Sequence, residues 1–444
     1  MKKKGLIVTV SIILFYLITV ASVFLIQQIL NGKDDSKGTT QEITMELEES
    51  ESIEEPTDAE QLENNLTYPA NVLDYGADPT GHENSTEAIQ EACRKNKEVY
   101  FPAGTYLIDR LTISGSVTLS GAGDNATFIK TTNLTDNVIV FKDDGWHVKD
   151  MKFDAVGNRT SGAYIYSSAN YASIENVAFT RQYIGVDLDG SWSVNLSNIT
   201  AFDGTPHEVA EGGAIIRLGK NAYTGPINIK GLTAKPTSST LQPSSVIYMG
   251  YVDVVYISDE LIIWHKKDVV IAPKGRQFAA LVEITNSCFD TAENGIYIEP
   301  TKGARVLRCG ITNTWFGAHS SDSAVINGSD GVITGLQFTN AMFLCNAGNG
   351  VRVSGEGVDG IYFSNSFSGG NQGSGLILTD GAQNVVWNGG VLGACHELNG
   401  NVQYGYCVEE GCSASIYLTD LRGNSTGVCL DDGNSVTVYG NTEE

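Results

Sequence analysis

Asp187 and Asp189 are the side chains of this sequence best placed to do chemistry together. They lie two apart in Gly185-Val186-Asp187-Leu188-Asp189, where strand alternation turns Val186 and Leu188 to one side and both carboxylates to the other. Carboxylates so spaced stand about 7 Å apart, which suits attack by a water molecule held between them on a glycosidic carbon. One carboxyl would protonate the leaving oxygen and the other would activate water or attack directly. Neighbouring runs of the same pattern bring Tyr164 and Tyr166 to one side and Arg217 to the other. Trp192, in the turn-like Gly190-Ser191-Trp192-Ser193, adds an indole that could stack on a sugar. Asp187 and Asp189 are thus the candidate catalytic pair, with Tyr164, Tyr166, Arg217 and Trp192 as candidate substrate-binding residues. Outward acids on a solvated sheet also serve solubility, and paired tyrosines also serve cross-strand packing.

Further along, the same outward positions carry Tyr297, Glu299, Arg352, Glu409 and Asp431, while Glu283, His207 and Trp315 are isolated candidates elsewhere. The eight cysteines include no CxxC pair and no Cys/His cluster of zinc-finger spacing, so neither a metal nor another cofactor is expected. Cys407 and Cys429 fall at the same repeat position, and a stacked pair of free thiols is expected there, since stacked strands suit a disulfide poorly.

The elements that must position these residues form a repeat. A small residue, an alternating apolar run, a polar turn and a second alternating run recur through the chain. Starts at Gly295, Ala324, Gly350, Gly375, Gly405 and Gly427 are separated by 29, 26, 25, 30 and 22 residues. Self-similarity at that period means stacked units, and here every unit is strand-like. Each unit can bury its Val, Ile and Leu only against the next coil, so the stack shares one long core. Asn176, Asn198 and Asn365 follow polar residues at the turns, where a left-handed backbone and stacked amides are expected. The fold class is all-β: one parallel β-helix over residues 68–444.

The 444 residues carry 52 acids and 28 bases, a formal charge of −24. That balance excludes a cationic nucleic-acid binder, which must neutralise phosphates. Residues 1–4 hold three lysines, and the apolar stretch 5–27 that follows has no charge and is long enough to span a bilayer. The positive-inside rule leaves 1–4 in the cytoplasm and the rest outside, as a single-pass cell-membrane protein, or a secreted one if the stretch is a cleaved signal. Residues 28–67 are acidic and nearly free of aromatics, a disordered linker by composition.

Val72-Leu-Asp-Tyr-Gly-Ala-Asp-Pro-Thr-Gly-His-Glu-Asn-Ser-Thr-Glu-Ala-Ile-Gln-Glu-Ala92, followed by Val99-Tyr-Phe-Pro-Ala-Gly-Thr-Tyr-Leu-Ile108, closely resembles the opening of the pectate-lyase-like superfamily, which holds polygalacturonase-like and rhamnogalacturonase-like enzymes and the β-helical tailspikes. The resemblance implies a right-handed β-helix. Asn84 with Glu87 reads as a helix start, and Ala88, Ile89 and Ala92 as the face that caps the open end. It also implies substrates lying along an outward-facing sheet or its bordering loops. The polygalacturonase series of Asn-Thr-Asp, Asp-Asp, Gly-His-Gly and Arg-x-Lys is absent, so no catalytic residue carries over by motif. Two functions stand: a surface polysaccharide hydrolase or lyase, or a non-catalytic glycan-binding adhesin or tailspike-like protein. The expected partners are a glycan and the membrane, with a second copy of the chain as a candidate cover for the last coil.

Overall fold

The computed structural model describes residues 68–202, 214–236, 242–394, 398–433 and 435–443. The apolar stretch 5–27, the linker 28–67, His207 and Cys395 lie outside the described residues. Among the described residues no helix is long and apolar enough to cross a membrane.

The repeat closes into a solenoid in which the strand pairings are parallel. One wall is a 13-stranded sheet, one strand per coil, and the other strands join in a 26-stranded sheet that forms the remaining walls. The inward rows hold Val186, Leu188, Ile216, Leu218, Ile247, Ile296 and Ile326, all but inaccessible to solvent. Phenylalanines stack between coils: Phe316 on Phe343 at 5.3 Å, Phe338 on Phe363 at 4.9 Å, and Phe363 on Trp387 at 4.6 Å. A coil cannot bury such rings alone, so the stability of each coil is largely that of its contacts with its neighbours.

The helix Thr86–Lys95 covers the N-terminal opening with Ile89, Ala92 and Cys93 buried, and Ala88 packs at their edge. Its cap lies one residue later than the sequence suggests. Ser85 occupies the cap position, and Asn84 instead accepts the amide of Thr86 at 2.8 Å.

The turn asparagines have the expected geometry. Asn176, Asn198 and Asn365 have φ of 53°, 52° and 49°. They belong to one left-handed position per coil, which runs from Asp150 through Gly231, Asp259, Asn286, Asn313, Asn340 and Gly389 to Leu418 and Gly440. Side-chain amides link the row, Asn176 donating to Asp150 at 2.9 Å, Asn198 to Asn176 at 3.0 Å and Asn340 to Asn313 at 3.1 Å. Leu418 is the misfit, a largely exposed leucine at φ 50°. A left-handed backbone costs an ordinary L residue roughly 1–2 kcal/mol, and asparagine tolerates it better. Leu418→Asn should therefore stabilise the protein by about 1 kcal/mol in urea unfolding; an unchanged or lower midpoint would contradict this account of the row.

A second amide row is buried except at its last member, Asn424. His319 Nδ1 donates to Asn346 at 3.0 Å, Asn346 to Asn371 at 2.8 Å, Asn371 to Asn401 at 2.8 Å and Asn401 to Asn424 at 2.9 Å. The direction of these bonds leaves His319 Nε2 without a proton. It faces Asp268 at 3.7 Å, where both groups have no exposed surface.

The last coil departs from the sequence alignment. Cys429 pairs with Tyr406, and Cys407 pairs with Leu430, so the two cysteines are not stacked. A shift of one residue exchanges the two faces of a strand, which puts Leu430 outside. Both thiols are free, Cys407 buried and Cys429 exposed. Val438 and Tyr439 are also exposed in this coil.

Candidate functional site

The outer face of the 13-stranded sheet carries one row through Tyr166, Asp187, Arg217, Tyr248, Val270 and Tyr297, each opposite the next. The sequence thus placed Tyr166, Asp187 and Arg217 together correctly, but their chemistry differs from the expectation. Asp187 is only 3% exposed. It is clamped by Arg217 in a two-pronged pair, with Nε to Oδ1 at 2.9 Å and Nη2 to Oδ2 at 2.6 Å. Asp189 lies beyond the strand Ile184–Leu188. Its Oδ1 accepts the backbone amides of Asn221 and Ala222, both at 2.8 Å, and its Oδ2 accepts the Asn221 side chain at 2.8 Å. Both aspartates are engaged in holding the next coil, so the pair is not poised around a water.

Tyr164 is likewise not on the open face. It is fully buried, stacked on Phe179 at 6.0 Å, and its hydroxyl donates to the Thr180 carbonyl. An aromatic side chain at that position fills the core more favourably than it would stand in water. Tyr166 is half-buried, and burial with Asp189 and Asp187 nearby pushes its hydroxyl up. Trp192 is 40% exposed and meets Tyr171 edge-on at 4.6 Å. Arg352 is paired with Asp322, Trp315 is a half-buried strand residue, and Glu409 is exposed. Glu283 lies opposite Gly310 in the other sheet.

Removing Asp187 takes from a largely buried guanidinium, its side chain 12% exposed, the carboxylate that clamps it. Asp187→Ala is expected to cost about 3 kcal/mol of stability, whereas the double variant Asp187→Ala/Arg217→Met should recover most of it. A denaturation series in which the double variant is the less stable of the two would contradict the clamp.

The open space lies further along the row. Two adjoining pockets of about 600 and 490 Å³ share Tyr248 and Lys274 and make one groove along the outer face. Lys220, Lys266, Lys267, Lys274 and Lys302 line it, against Glu293, Glu299 and Asp330. That cationic excess stands on a chain whose net charge is −24. On the groove floor, Tyr248, Val270 and Ala214 form a small outer apolar cluster against which Ala272 and Tyr297 pack.

Lys267 comes from the strand His265–Ile271, and Tyr297 from the next coil's Asn294–Ile298. The Lys267 ammonium lies over the Tyr297 ring, 2.9 Å from its centre. Burial lowers its pKa to about 8, with Glu293 and Glu299 opposing and Lys266 assisting. Tyr297 moves the other way, to about 12, through burial and then the Glu299 carboxylate beside it. Glu299 is fixed by the Asn327 side-chain amide at 3.0 Å. The environment therefore separates an amine near neutrality from a phenol that keeps its proton, the separation an acid/base pair needs. Glu293 and Glu299 flank this strand at its two ends, so their backbones are about 20 Å apart, far wider than the separation of a hydrolytic carboxyl pair. Among the described residues no group of three or more His, Cys, Asp or Glu side chains is arranged to hold a metal ion.

Sequence reading singled out Tyr297 and Glu299 by register but missed Lys267. Its visible signal was a lysine in an alternating run one coil before Tyr297.

Comparison with known proteins agrees with this architecture. Residues 70–144 match the family described as rhamnogalacturonase A/epimerase, pectate lyase-like. The chain folds as a right-handed parallel β-helix, and its opening coils are pectate-lyase-like. A putative phage-related protein, YobO, of Bacillus subtilis (strain 168) is 35% identical over 95 residues, which are 21% of this β-helix chain and 12% of that protein. Tailspike protein 3 of bacteriophage CBA120 superposes with a TM-score of 0.52 at 14% identity, covering 86% of this chain and 62% of the tailspike. The A-module of the mannuronan C-5 epimerase AlgE6 of Azotobacter vinelandii, at 14% identity, gives a TM-score of 0.42 over 85% of this chain and 99% of the module.

Proposed function

We propose that this β-helix cleaves an acidic polysaccharide laid along the lysine-lined groove, by elimination rather than hydrolysis. The observation that carries the reading is Lys267, desolvated to a pKa of about 8 against the ring of Tyr297, whose own pKa is about 12. In elimination, the neutral Lys267 amine takes the proton from the sugar carbon next to a uronate carboxylate. The electron pair left behind forms the ring double bond as the glycosidic C–O bond breaks, and the Tyr297 hydroxyl gives its proton to the departing oxygen. The lysines around the groove offset the uronate charge, which is greatest as that proton leaves. Hydrolysis would need two free carboxylates facing each other across the bond, and Asp187 and Asp189 are engaged by Arg217, Asn221 and Ala222.

The full chain, incubated with polygalacturonate, alginate, hyaluronate and neutral glucans, should release reducing ends together with ultraviolet absorbance from unsaturated products on an acidic member of the set. Reducing ends without absorbance would replace elimination with hydrolysis. Neither signal on any of them, with binding retained, would favour a non-catalytic glycan-binding protein.

The reading extends to location: the stretch 5–27 would hold the enzyme on the outer face of the cell membrane, with 28–67 as its tether. The three lysines that precede an uncharged run, and the 12 acids between Gly32 and Leu66, support this. Protease added to intact cells should remove the groove-bearing part; complete protection would oppose it.

A further inference from the structure

Five aromatic side chains occupy five successive coils along one corner of the solenoid, where the 13-stranded sheet turns into the next wall. Tyr171, Trp192, Tyr223, Tyr251 and Phe278 each follow that coil's strand in the 13-stranded sheet. Backbone bonds between the turns hold them in step, Tyr171 donating to the Trp192 carbonyl at 3.1 Å and Thr224 to the Tyr251 carbonyl at 3.0 Å. The rings touch in two groups. Tyr171 meets Trp192 at 4.6 Å, while Tyr223, Tyr251 and Phe278 meet one another at 5.0–6.2 Å.

These rings are not core. Tyr171 is 52% exposed, Trp192 40% and Tyr223 45%, and clustered exposure of large aromatics marks a recognition surface. Coils stack about 4.8 Å apart, so the ridge runs roughly 20 Å along the axis. One ring per coil is close to the advance of one pyranose along an extended glycan, whose C–H faces stack on aromatic rings. The polar groups hydrogen-bonded beside the rings include an acid and an amide: Tyr223 donates to Asp253 at 3.3 Å, and Asn170 accepts the Trp192 backbone amide at 3.1 Å. An acidic sugar gains nothing from them. The ridge also borders the groove, since Lys220 and Asn221, which line it, immediately precede the turn of Tyr223, and Gln277 beside Phe278 donates to the Lys220 carbonyl at 3.1 Å.

We propose that this ridge is a second glycan-binding surface, which holds a run of uncharged sugars by stacking while the acidic part of the same polymer lies in the groove. The ligand class rests on the polysaccharide reading above, but the ridge does not depend on the groove's chemistry. The test is titration calorimetry with tryptophan fluorescence on the full chain in detergent, using uncharged hexasaccharides of glucose, xylose, mannose and galactose as probes. At least one should bind saturably and perturb the emission. Trp192→Ala and Tyr223→Ala should each weaken that binding about tenfold, while Trp192→Phe should keep most of it. Lys267→Met should leave it in place, so failure of the elimination reading and failure of the ridge are seen separately. Absence of saturable binding by all four probes, or unchanged affinity in the Trp192→Ala/Tyr223→Ala double variant, would overturn the proposal.

Discussion

Lys267→Met should lower turnover of the acidic polysaccharide about a thousandfold, the middle of the range that a positioned proton acceptor supplies. Methionine keeps the length and the apolar contact over the Tyr297 ring, so the coil should retain its fold and the substrate much of its affinity. The loss is therefore expected in kcat more than in KM. The same amine sets a pH signature. A base with a pKa of about 8 is mostly protonated at pH 6, so the rate should rise about tenfold per pH unit up to pH 8 and level above it. Lys267→Arg, still cationic but too basic to accept a proton, should bind substrate and yet turn over as poorly as the methionine variant. Tyr297→Phe removes the donor and should cost about a hundredfold. Wild-type turnover in Lys267→Met would end the assignment and return the search to Glu293 and Glu299.

The fold was legible because it follows from properties that each residue carries alone. Alternating Val, Ile and Leu make strands, the 22–30 residue spacing makes coils, and asparagines after polar residues mark left-handed turns, as Asn176, Asn198 and Asn365 do. The site was legible only in part, because its chemistry depends on which residue of one coil meets which of the next. Asp187 and Asp189 look free in sequence, yet a register of 30 residues brings Arg217 against Asp187, and the following turn offers its amides to Asp189. Tyr164 alternates outward by pattern, but its ring is large enough to bury itself against Phe179. Lys267 escaped notice for the opposite reason. Its strand neighbour Lys266 lowers its pKa only as a minor cause; the main one is burial by the stacked coils around it. The slip of one residue between Cys407 and Cys429 is of the same kind, since equal spacing from a glycine does not by itself fix which residues of two coils pair.

Stability should be greatest in mildly acidic solution and should fall steeply above neutrality, because this core buries acids as well as hydrocarbon. Glu260 is 3% exposed. It accepts the Leu232 amide at 2.6 Å through one oxygen, while the other has no hydrogen-bond partner. Burial raises its pKa from 4.5 to about 8, and burial with Asp290 nearby raises that of Asp268 well above its ordinary value. A raised folded-state pKa contributes stability that is complete below the unfolded value and disappears as pH rises through the folded one. For Glu260 the full loss by pH 9 is ~4–5 kcal/mol. His265 and His319 work in the other direction. Burial lowers both to about 4 from 6.5, so their contribution is complete above pH 6.5 and is lost as pH falls toward 4. Between pH 4.5 and 6.5 the histidines work against the acids, and the stability curve should be flatter there than above pH 6.5. From pH 6.5 to 8 the histidines no longer offset the acids, and Glu260 alone contributes a fall of about 1.4 kcal/mol per pH unit. Glu260→Gln can still accept the Leu232 amide and carries no titrating group. Its stability relative to wild type should therefore improve by several kcal/mol between pH 5 and pH 9, measured by urea unfolding at each pH. Parallel curves for the two proteins would show that Glu260 is already ionised in the folded chain, and that the polar groups around it compensate for its burial.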